Sequence, residues 1–203
     1  MFIQVMQGKV TDEEGLNRCL DKWVNELQPE AIGFLGTTQG LCDDGTFIAL
    51  ARFESAEAAK RNSQRPEQGA WWAEAQRCFE GGKIEVMDCP EATSWMGGGS
   101  DEAKFVQVIE GHTTNASRMR EIMNEAEPQL RELRPEILGG TLGTYGKDGF
   151  VEAVYFSSES EARSHEKMHR PAELQSLFEE ESRLRADVSY YDMHKPMLVT
   201  AKR

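Results

Sequence analysis

The chain has 203 residues, 39% of them hydrophobic, which is enough for one large domain or two small domains with packed cores. Its 23 basic and 35 acidic residues give a net charge of −12, and a field of that sign repels nucleic acid and anionic membranes. No stretch is apolar enough to cross a bilayer and the first residues have no secretory pattern, so a cytoplasmic protein is expected.

The first predicted elements are a strand and a helix. Residues 2–8 alternate apolar and polar side chains with the two-residue period of a strand. Thr11 and Glu14 have the spacing of a capping box, in which the hydroxyl caps a helix and the carboxylate three residues later bonds back. An apolar stripe then continues along that helix to Leu27, and Pro29 ends it.

Two strands, a second helix and a last strand complete the first half. The Asp44-Gly45 pair is typical of a hairpin turn between two strands. Ser55 opens the second helix, and Pro66 suits the first turn of its continuation. The predicted strands of this part are residues 31–39, 46–53 and 83–88.

The second half of the sequence repeats the first. Residues 105–111 (FVQVIEG) follow the pattern of residues 2–8 (FIQVMQG), and shorter matches continue in the same order. These matches pair Pro29-Glu30 with Pro135-Glu136, Asp44-Gly45 with Asp148-Gly149, and Arg65-Pro66 with Arg170-Pro171. A colinear series of this kind predicts a tandem duplication.

The order of elements predicts the fold class. Strand, helix, strand, strand, helix, strand is a ferredoxin-like unit, whose antiparallel sheet carries both helices on one face. The bare sheet face of each repeat needs an apolar cover, and the other repeat can supply it. We therefore predict an α+β fold in which two ferredoxin-like (βαββαβ) repeats form an intrachain pseudo-dimer of the dimeric α+β barrel type. The predicted parts are repeat 1 at 1–90, a Gly-rich linker at 91–102, and repeat 2 with a C-terminal tail at 103–203.

A family resemblance lies in three runs of the first repeat. Residues 33–38, 44–46 and 51–58 resemble an antibiotic-biosynthesis-monooxygenase-type domain of the dimeric α+β barrel group, and the resemblance covers nearly the whole chain as two copies. The resemblance implies the barrel fold. The group includes quinone-forming oxygenases, haem-degrading enzymes, muconolactone-type isomerases and binding proteins without known chemistry, so the fold does not fix the function.

The chain departs from the family at the positions that carry catalysis. The cofactor-free oxygenases it resembles have an asparagine and a tryptophan four residues apart on the third strand. Here those positions hold Ala49 and Phe53 in the first copy, and Glu152 and Phe156 in the second. The haem-degrading branch uses an asparagine on the first strand and a tryptophan and a histidine on the second helix, and neither copy assembles these three.

Glu152 is the predicted catalytic residue. It shares a strand face with Val154 and Phe156, and a carboxylate held among apolar side chains suits a general base that removes a phenolic or α-keto proton. The alternative interpretation is a carboxylate at a strand end, in water or paired with an arginine.

Four further residues are predicted to contact a substrate. Gln4 and Gln107 share a strand face with large apolar side chains, and if that face lines the barrel, both amides point into its cavity and could orient a carbonyl or a phenol. Alternatively, each amide satisfies a neighbouring strand end or water. Of Trp71 and Trp72, one is expected to pack in the core and the other to stack on an aromatic ligand at the rim. Packing or a subunit contact could equally account for both indoles.

His165 and His169 complete the candidates for substrate binding. They are four residues apart, so they lie on one helical face and could bind an anion. No third ligand is apparent and no C-x-x-C pair occurs, so no metal site is predicted. Solvent-exposed histidines are the alternative interpretation.

Two functional hypotheses follow. The first is a cofactor-independent monooxygenase-like enzyme that acts on an aromatic or polyketide-like small molecule held in the barrel. The second is a non-catalytic module that binds a hydrophobic small molecule or haem, or that serves assembly. Both expect a hydrophobic or aromatic small molecule as partner, with neither nucleic acid nor membrane, and both leave a homodimer open.

Overall fold

The computed structural model describes residues 1–166 and 171–201. Its contacts divide the chain into two compact units. The first unit is Met1–Glu91 together with the C-terminal segment that starts at Met197, and the second is Ala92–Pro196. In the described ranges, no helix combines the length and the apolar character needed to cross a membrane.

The first unit has a five-stranded antiparallel sheet with its helices on one face. Its elements are β1 (Phe2–Lys9), α1 (Glu13–Lys22), β2 (Phe34–Leu41), β3 (Thr46–Phe53), α2 (Ala56–Ser63), α3 (Pro66–Ala75) and β4 (Glu85–Cys89). The strand order is β10-β2-β3-β1-β4, in which β10 (Met197–Thr200) comes from the end of the chain.

The second unit repeats this topology. Its elements are β5 (Thr93–Trp95), β6 (Phe105–Thr113), α4 (Ala116–Leu133), β7 (Ile137–Tyr145), β8 (Gly149–Phe156), α5 (Glu159–His165), α6 (Ala172–Leu184) and β9 (Arg185–Met193). The strand order is β5-β7-β8-β6-β9. The predicted fold class is therefore confirmed as α+β with two ferredoxin-like units.

The start and the end of the first helix differ from the prediction. Asp12, not Thr11, caps α1, since its carboxylate accepts a hydrogen bond from the Gly15 N–H at 2.8 Å. The Thr11 hydroxyl instead donates to the Cys78 carbonyl at 3.1 Å. After α1 the chain continues as a π-helical turn, Trp23–Leu27, a rare geometry that often marks functional sites.

Two short strands lie where the sequence predicts a linker and a tail. β5 lies within the predicted linker at 91–102 and pairs with β7, while β10 lies in the predicted tail and pairs with β2. Each addition covers a strand edge whose N–H and C=O groups would otherwise lack partners. The tail segment therefore belongs to the first sheet, and the Gly-rich segment is only partly a linker.

The two units differ in how their cores fill. In the first unit the apolar residues between sheet and helices form two clusters, one around Trp71 and Phe79 and the other around Phe34 and Phe53. In the second unit the corresponding residues form one continuous cluster, which includes Trp95. The gap between the two clusters of the first unit is the position of a cavity.

Candidate ligand-binding cavity

A cavity of about 80 Å³, partly open to the surface, lies between the sheet and the helices of the first unit. The central strand β3 presents Ala49 and Ala51 to it, with Phe47 and Phe53 on either side on the same face. Two methyl groups between two large rings leave a depression that the helices above cannot fill. An apolar cavity of about 150 Å³ holds benzene, so this one, with about half that volume, holds part of a ring.

Three indoles form much of the cavity wall. Trp71 is buried and donates its indole N–H to the Cys19 carbonyl at 2.7 Å, which fixes the ring. Trp72 is half-buried, and its ring centroid lies 6.0 Å from that of Trp71. Trp23, in the π-helical turn, donates to Gln68 Oε1 at 2.9 Å. The N–H groups of Trp71 and Trp23 are thus used by the protein, and the walls are largely apolar.

The polar groups of the cavity are amides and one hydroxyl. Gln4 donates from Nε2 to Asp88 Oδ1 at 2.8 Å, and Gln39 donates from Nε2 to Met197 Sδ at 3.0 Å. Neither amide oxygen is bonded to a described residue, so both Oε1 atoms can accept a hydrogen bond from a ligand. The other polar side chains of the lining are Thr37, Asn62 and Gln68. Within the described part of the chain, every residue that lines the cavity is uncharged.

Gln107 occupies in the second unit the position that Gln4 has in the first. It donates from Nε2 to Asp192 Oδ1 at 2.9 Å, and Asp192 also pairs with Arg163. Gln107 is not among the lining residues of the first-unit cavity. The two amides predicted to share one chamber therefore lie in different units, and each is bonded to an aspartate.

Glu152 lies in a buried ion cluster of the second unit. Arg185 donates from Nη2 to Glu152 Oε2 at 2.7 Å, and the same nitrogen is bonded to Glu181. The guanidinium carbon lies 5.1 Å from the ring centre of Phe150. Burial, and next the charge of Glu152, raise the pKa of Glu181 to about 7. The pairing matches the alternative interpretation of Glu152, and its catalytic role stays a prediction.

His165 belongs to a second polar cluster, at the end of α5. Its Nδ1 lies 2.8 Å from Glu136 Oε2, and Arg134 donates from Nε to Glu136 Oε1 at 2.5 Å. Burial opposes ionisation of Glu136, but the bonds from Arg134 and His165 outweigh it and lower its pKa. His169 lies outside the described residues. Across the ranges that are described, no group of three or more His, Cys, Asp or Glu side chains could hold a metal ion.

Sequence reasoning found part of this lining and missed the rest. It selected Gln4, Trp71 and Trp72, all of which line the cavity. It missed Trp23, because helical periodicity assigns an indole on an apolar stripe to the core. It also missed Gln39, although the alternation of β2 could have placed this amide on the same face as the small residues of β3.

Comparisons with known proteins describe the fold. No protein-family model and no curated protein matches the sequence. A solved structure of a candidate monooxygenase from Lactobacillus acidophilus NCFM is similar, with a TM-score of 0.74 and 14% identity over 98% of this chain and 96% of that chain. An anthrone oxidase-like protein has a TM-score of 0.66 and 8% identity over 100% of this chain and 94% of that chain.

A third solved structure connects the fold with the resemblance found in the sequence. It is an uncharacterised ferredoxin-fold protein related to antibiotic biosynthesis monooxygenases, from Listeria monocytogenes 4b F2365. Its TM-score is 0.50 and its identity 9%, over 100% of this chain and 96% of that chain. Identities this low establish the fold alone. Over its whole length, then, the chain has the ferredoxin-type fold of proteins related to antibiotic biosynthesis monooxygenases, which is consistent with the predicted pseudo-dimer.

Proposed function

We propose that the protein binds a small, uncharged aromatic molecule in the cavity of the first unit. The observation that carries this proposal is a wall of indoles combined with free amide oxygens and no charge. Indole rings stack on planar ligands, and amide oxygens accept hydrogen bonds from hydroxyl groups. A carboxylate or phosphate ligand would lose its hydration here without gaining a charged partner. The ligand is therefore a phenol or a related neutral ring.

The size of the cavity limits how the ligand sits. The volume of about 80 Å³ accommodates part of a single ring, and the rest of that ring lies at the open side of the cavity. A larger, polycyclic ligand would place one ring edge inside and the remainder at the mouth, where Trp72 is half-buried. Gln4 Oε1 and Gln39 Oε1 would then bind hydroxyl groups of the inserted ring.

Oxygenation of such a ligand is the candidate reaction. Solved structures with this fold include one described as a candidate monooxygenase and one described as anthrone oxidase-like. In an anthrone-type oxidation, a ring CH₂ becomes C=O with one atom of O₂, while the other oxygen atom leaves as water with the two hydrogens. The described lining offers amides that can orient the substrate, but no carboxylate or imidazole that could take its proton. Ligand binding therefore has stronger support than catalysis.

Haem binding, the other alternative, is less well supported. Haem iron is held in proteins by histidine, cysteine, methionine or tyrosine side chains. Among the described residues that line the cavity, Met6 is the one side chain of these types. His165 lies in the second unit and is bonded to Glu136. The homodimer and the cytoplasmic location remain predictions from the sequence.

The test compares two ligands that differ in charge. We expect 4-fluorophenol to bind, as seen by ¹⁹F NMR and by tryptophan fluorescence, and 4-fluorobenzoate to bind about tenfold more weakly or not at all. Ala49→Leu fills the cavity and should abolish binding of 4-fluorophenol. Ala73→Leu is the matched control, because Ala73 is on α3 beside Trp72 but points to solvent.

Measurements on Ala49→Leu and on Glu152→Gln test the proposed binding and the candidate oxygenase reaction. If 4-fluorophenol binds equally well to wild type and Ala49→Leu, or does not bind at all, the proposal is wrong. Oxygen uptake with anthrone above its spontaneous rate, lost in Ala49→Leu, would establish the oxygenase activity at this cavity. Loss of that uptake in Glu152→Gln instead would place the reaction in the second unit.

A further inference from the structure

The strand registers of the two units match position by position. β1 pairs with β3 as β6 pairs with β8, and β2 pairs with β3 as β7 pairs with β8. The β2–β3 and β7–β8 pairs also have a register shift at the same place. The positions that form the cavity in the first unit therefore have defined counterparts in the second. The counterparts are Val154 for Ala51, Glu152 for Ala49, Gly140 for Thr37 and Leu142 for Gln39.

The indole of Trp95 lies on the counterpart, in the second unit, of a residue that lines the cavity in the first. Trp95 pairs with Gly140 across β5 and β7 and is only 5% exposed. A Cβ atom added to Gly140 would lie 2.3 Å from Cε2 and from Cζ2 of this indole. The ring thus lies directly on the Gly140 backbone, on the same sheet face as Val154. At the equivalent position of the first unit, Thr37 lines the cavity.

Trp95 is held by apolar contacts, as an aromatic ligand in the first-unit cavity would be. The indole packs with Leu142 and Val154 in one continuous apolar cluster, whereas the first unit has two clusters with the cavity between them. No described residue accepts a hydrogen bond from its buried N–H. Packing alone therefore holds the ring, because a buried donor without a partner weakens the site rather than strengthening it.

We propose that Trp95 occupies in the second unit the space that a ligand occupies in the first. The chain then binds one ligand and carries a latent second site, closed by its own side chain. This inference rests on the proposed function for the position of the ligand. The first unit has Val199 of β10 where the second has Trp95, so a valine is compatible with an open site.

The experiment counts bound ligands in solution. With saturating 4-fluorophenol, ¹⁹F NMR should show one bound resonance for wild type, two for Trp95→Val, none for Ala49→Leu, and one for the double variant Trp95→Val/Ala49→Leu. Far-ultraviolet circular dichroism and cooperative thermal unfolding verify that each variant is folded. If Trp95→Val does not fold, Trp95→Leu replaces it, because leucine keeps more of the packing and still vacates part of the indole space.

The outcomes separate this inference from the proposed function. Two bound resonances in wild type, or one in folded Trp95→Val, would overturn the role of Trp95. No resonance in wild type but one in Trp95→Val would support that role and contradict the proposed site in the first unit. No bound resonance in either protein would contradict both.

Discussion

Single side chains determine which unit of this fold contains a cavity and which has a filled core. Ala49 and Ala51 leave room above the first sheet, while Glu152 and Val154 occupy the same positions in the second. A carboxylate at a core position needs a partner, and Arg185 supplies it. The same strand positions therefore serve a cavity in one unit and a buried ion cluster in the other.

The ion cluster contains two carboxylates and one guanidinium. With Glu181 protonated, the charges of Glu152 and Arg185 cancel; with Glu181 ionised, the cluster has one unpaired negative charge among apolar side chains. Burial first and the charge of Glu152 second explain why the pKa of Glu181 rises from its ordinary value of 4.5 to about 7. The folded state thus binds this proton more tightly than the unfolded state does.

The pH dependence of stability follows from this difference. The stabilisation by the Glu181 proton is fully present below about pH 4.5 and is lost as the pH rises through about 7. Across that window the unfolding free energy of wild type should fall relative to Glu181→Gln by on the order of 3 kcal/mol. Urea denaturation at several pH values measures the change. Glu180→Gln is the control, since Arg118 lowers the pKa of that half-buried neighbour. Parallel profiles for wild type and Glu181→Gln would refute the prediction.

At the residue scale the sequence predicted faces but not partners. Alternation grouped Gln4 with Met6 on one sheet face, because the period of a strand is a local property, but it could not show that the helices of the same unit cover this face. It could not reveal that Glu152 meets Arg185 and Glu181, which come from β9 and α6. Nor could it place Gln39 beside Met197, since that contact depends on a strand from the opposite end of the chain.

At the scale of elements, long amphipathic segments were predictable and short edge strands were not. The strands of the hairpins and the main helices have enough residues for their periodicity to be read. β5 and β10 have only three and four residues, and their conformation is set by pairing with an exposed sheet edge. The Gly-rich composition around β5 predicts a linker, because a three-residue strand is too short to show a period of its own.

Removing β10 tests how far this element supports the cavity. A chain that ends at Pro196 loses the pairing with β2, the Met197 partner of Gln39 and the Thr200 carbonyl that accepts from Gln28. We expect a loss of unfolding free energy on the order of 2 to 4 kcal/mol and faster hydrogen exchange of the β2 amides. Affinity for 4-fluorophenol should fall as well, because Gln39 is no longer held.

Met197→Leu is the matched control for this truncation. Leucine keeps the strand and nearly the same volume but cannot accept the hydrogen bond from Gln39. Stability should stay within about 1.5 kcal/mol of wild type, and β2 should remain protected from exchange. Equal loss of protection in Met197→Leu and in the truncated chain would mean that the side chain, not the strand, supports β2.

On the scale of the whole molecule, two units with one topology have different interiors. The colinear matches in the sequence predicted the common topology, because turns and strand periods repeat. They did not predict the difference, which arises from substitutions at a few inward positions and from a tryptophan in the Gly-rich segment. A sequence repeat is therefore a good guide to the sheets and a poor one to the cavities beneath the helices.

The net charge of −12 is also a property of the whole molecule, and it should act on the part of a ligand that stays outside the cavity. Asp88, exposed and bonded to the lining residue Gln4, adds to this field locally. Tyramine carries a cationic tail on a phenol ring, 4-hydroxyphenylacetate an anionic tail, and 4-ethylphenol a neutral one.

At an ionic strength of about 0.01 M we expect tyramine to bind about two- to fivefold more tightly than 4-ethylphenol, and the anion more weakly by a similar factor. The three affinities should converge near 1 M salt, where the Debye length falls to about 3 Å, while that of 4-ethylphenol changes little from charge screening. Calorimetric or fluorescence titration at both salt concentrations measures this, and an order of affinities that does not depend on salt would show that the tails contact the protein directly rather than through its field.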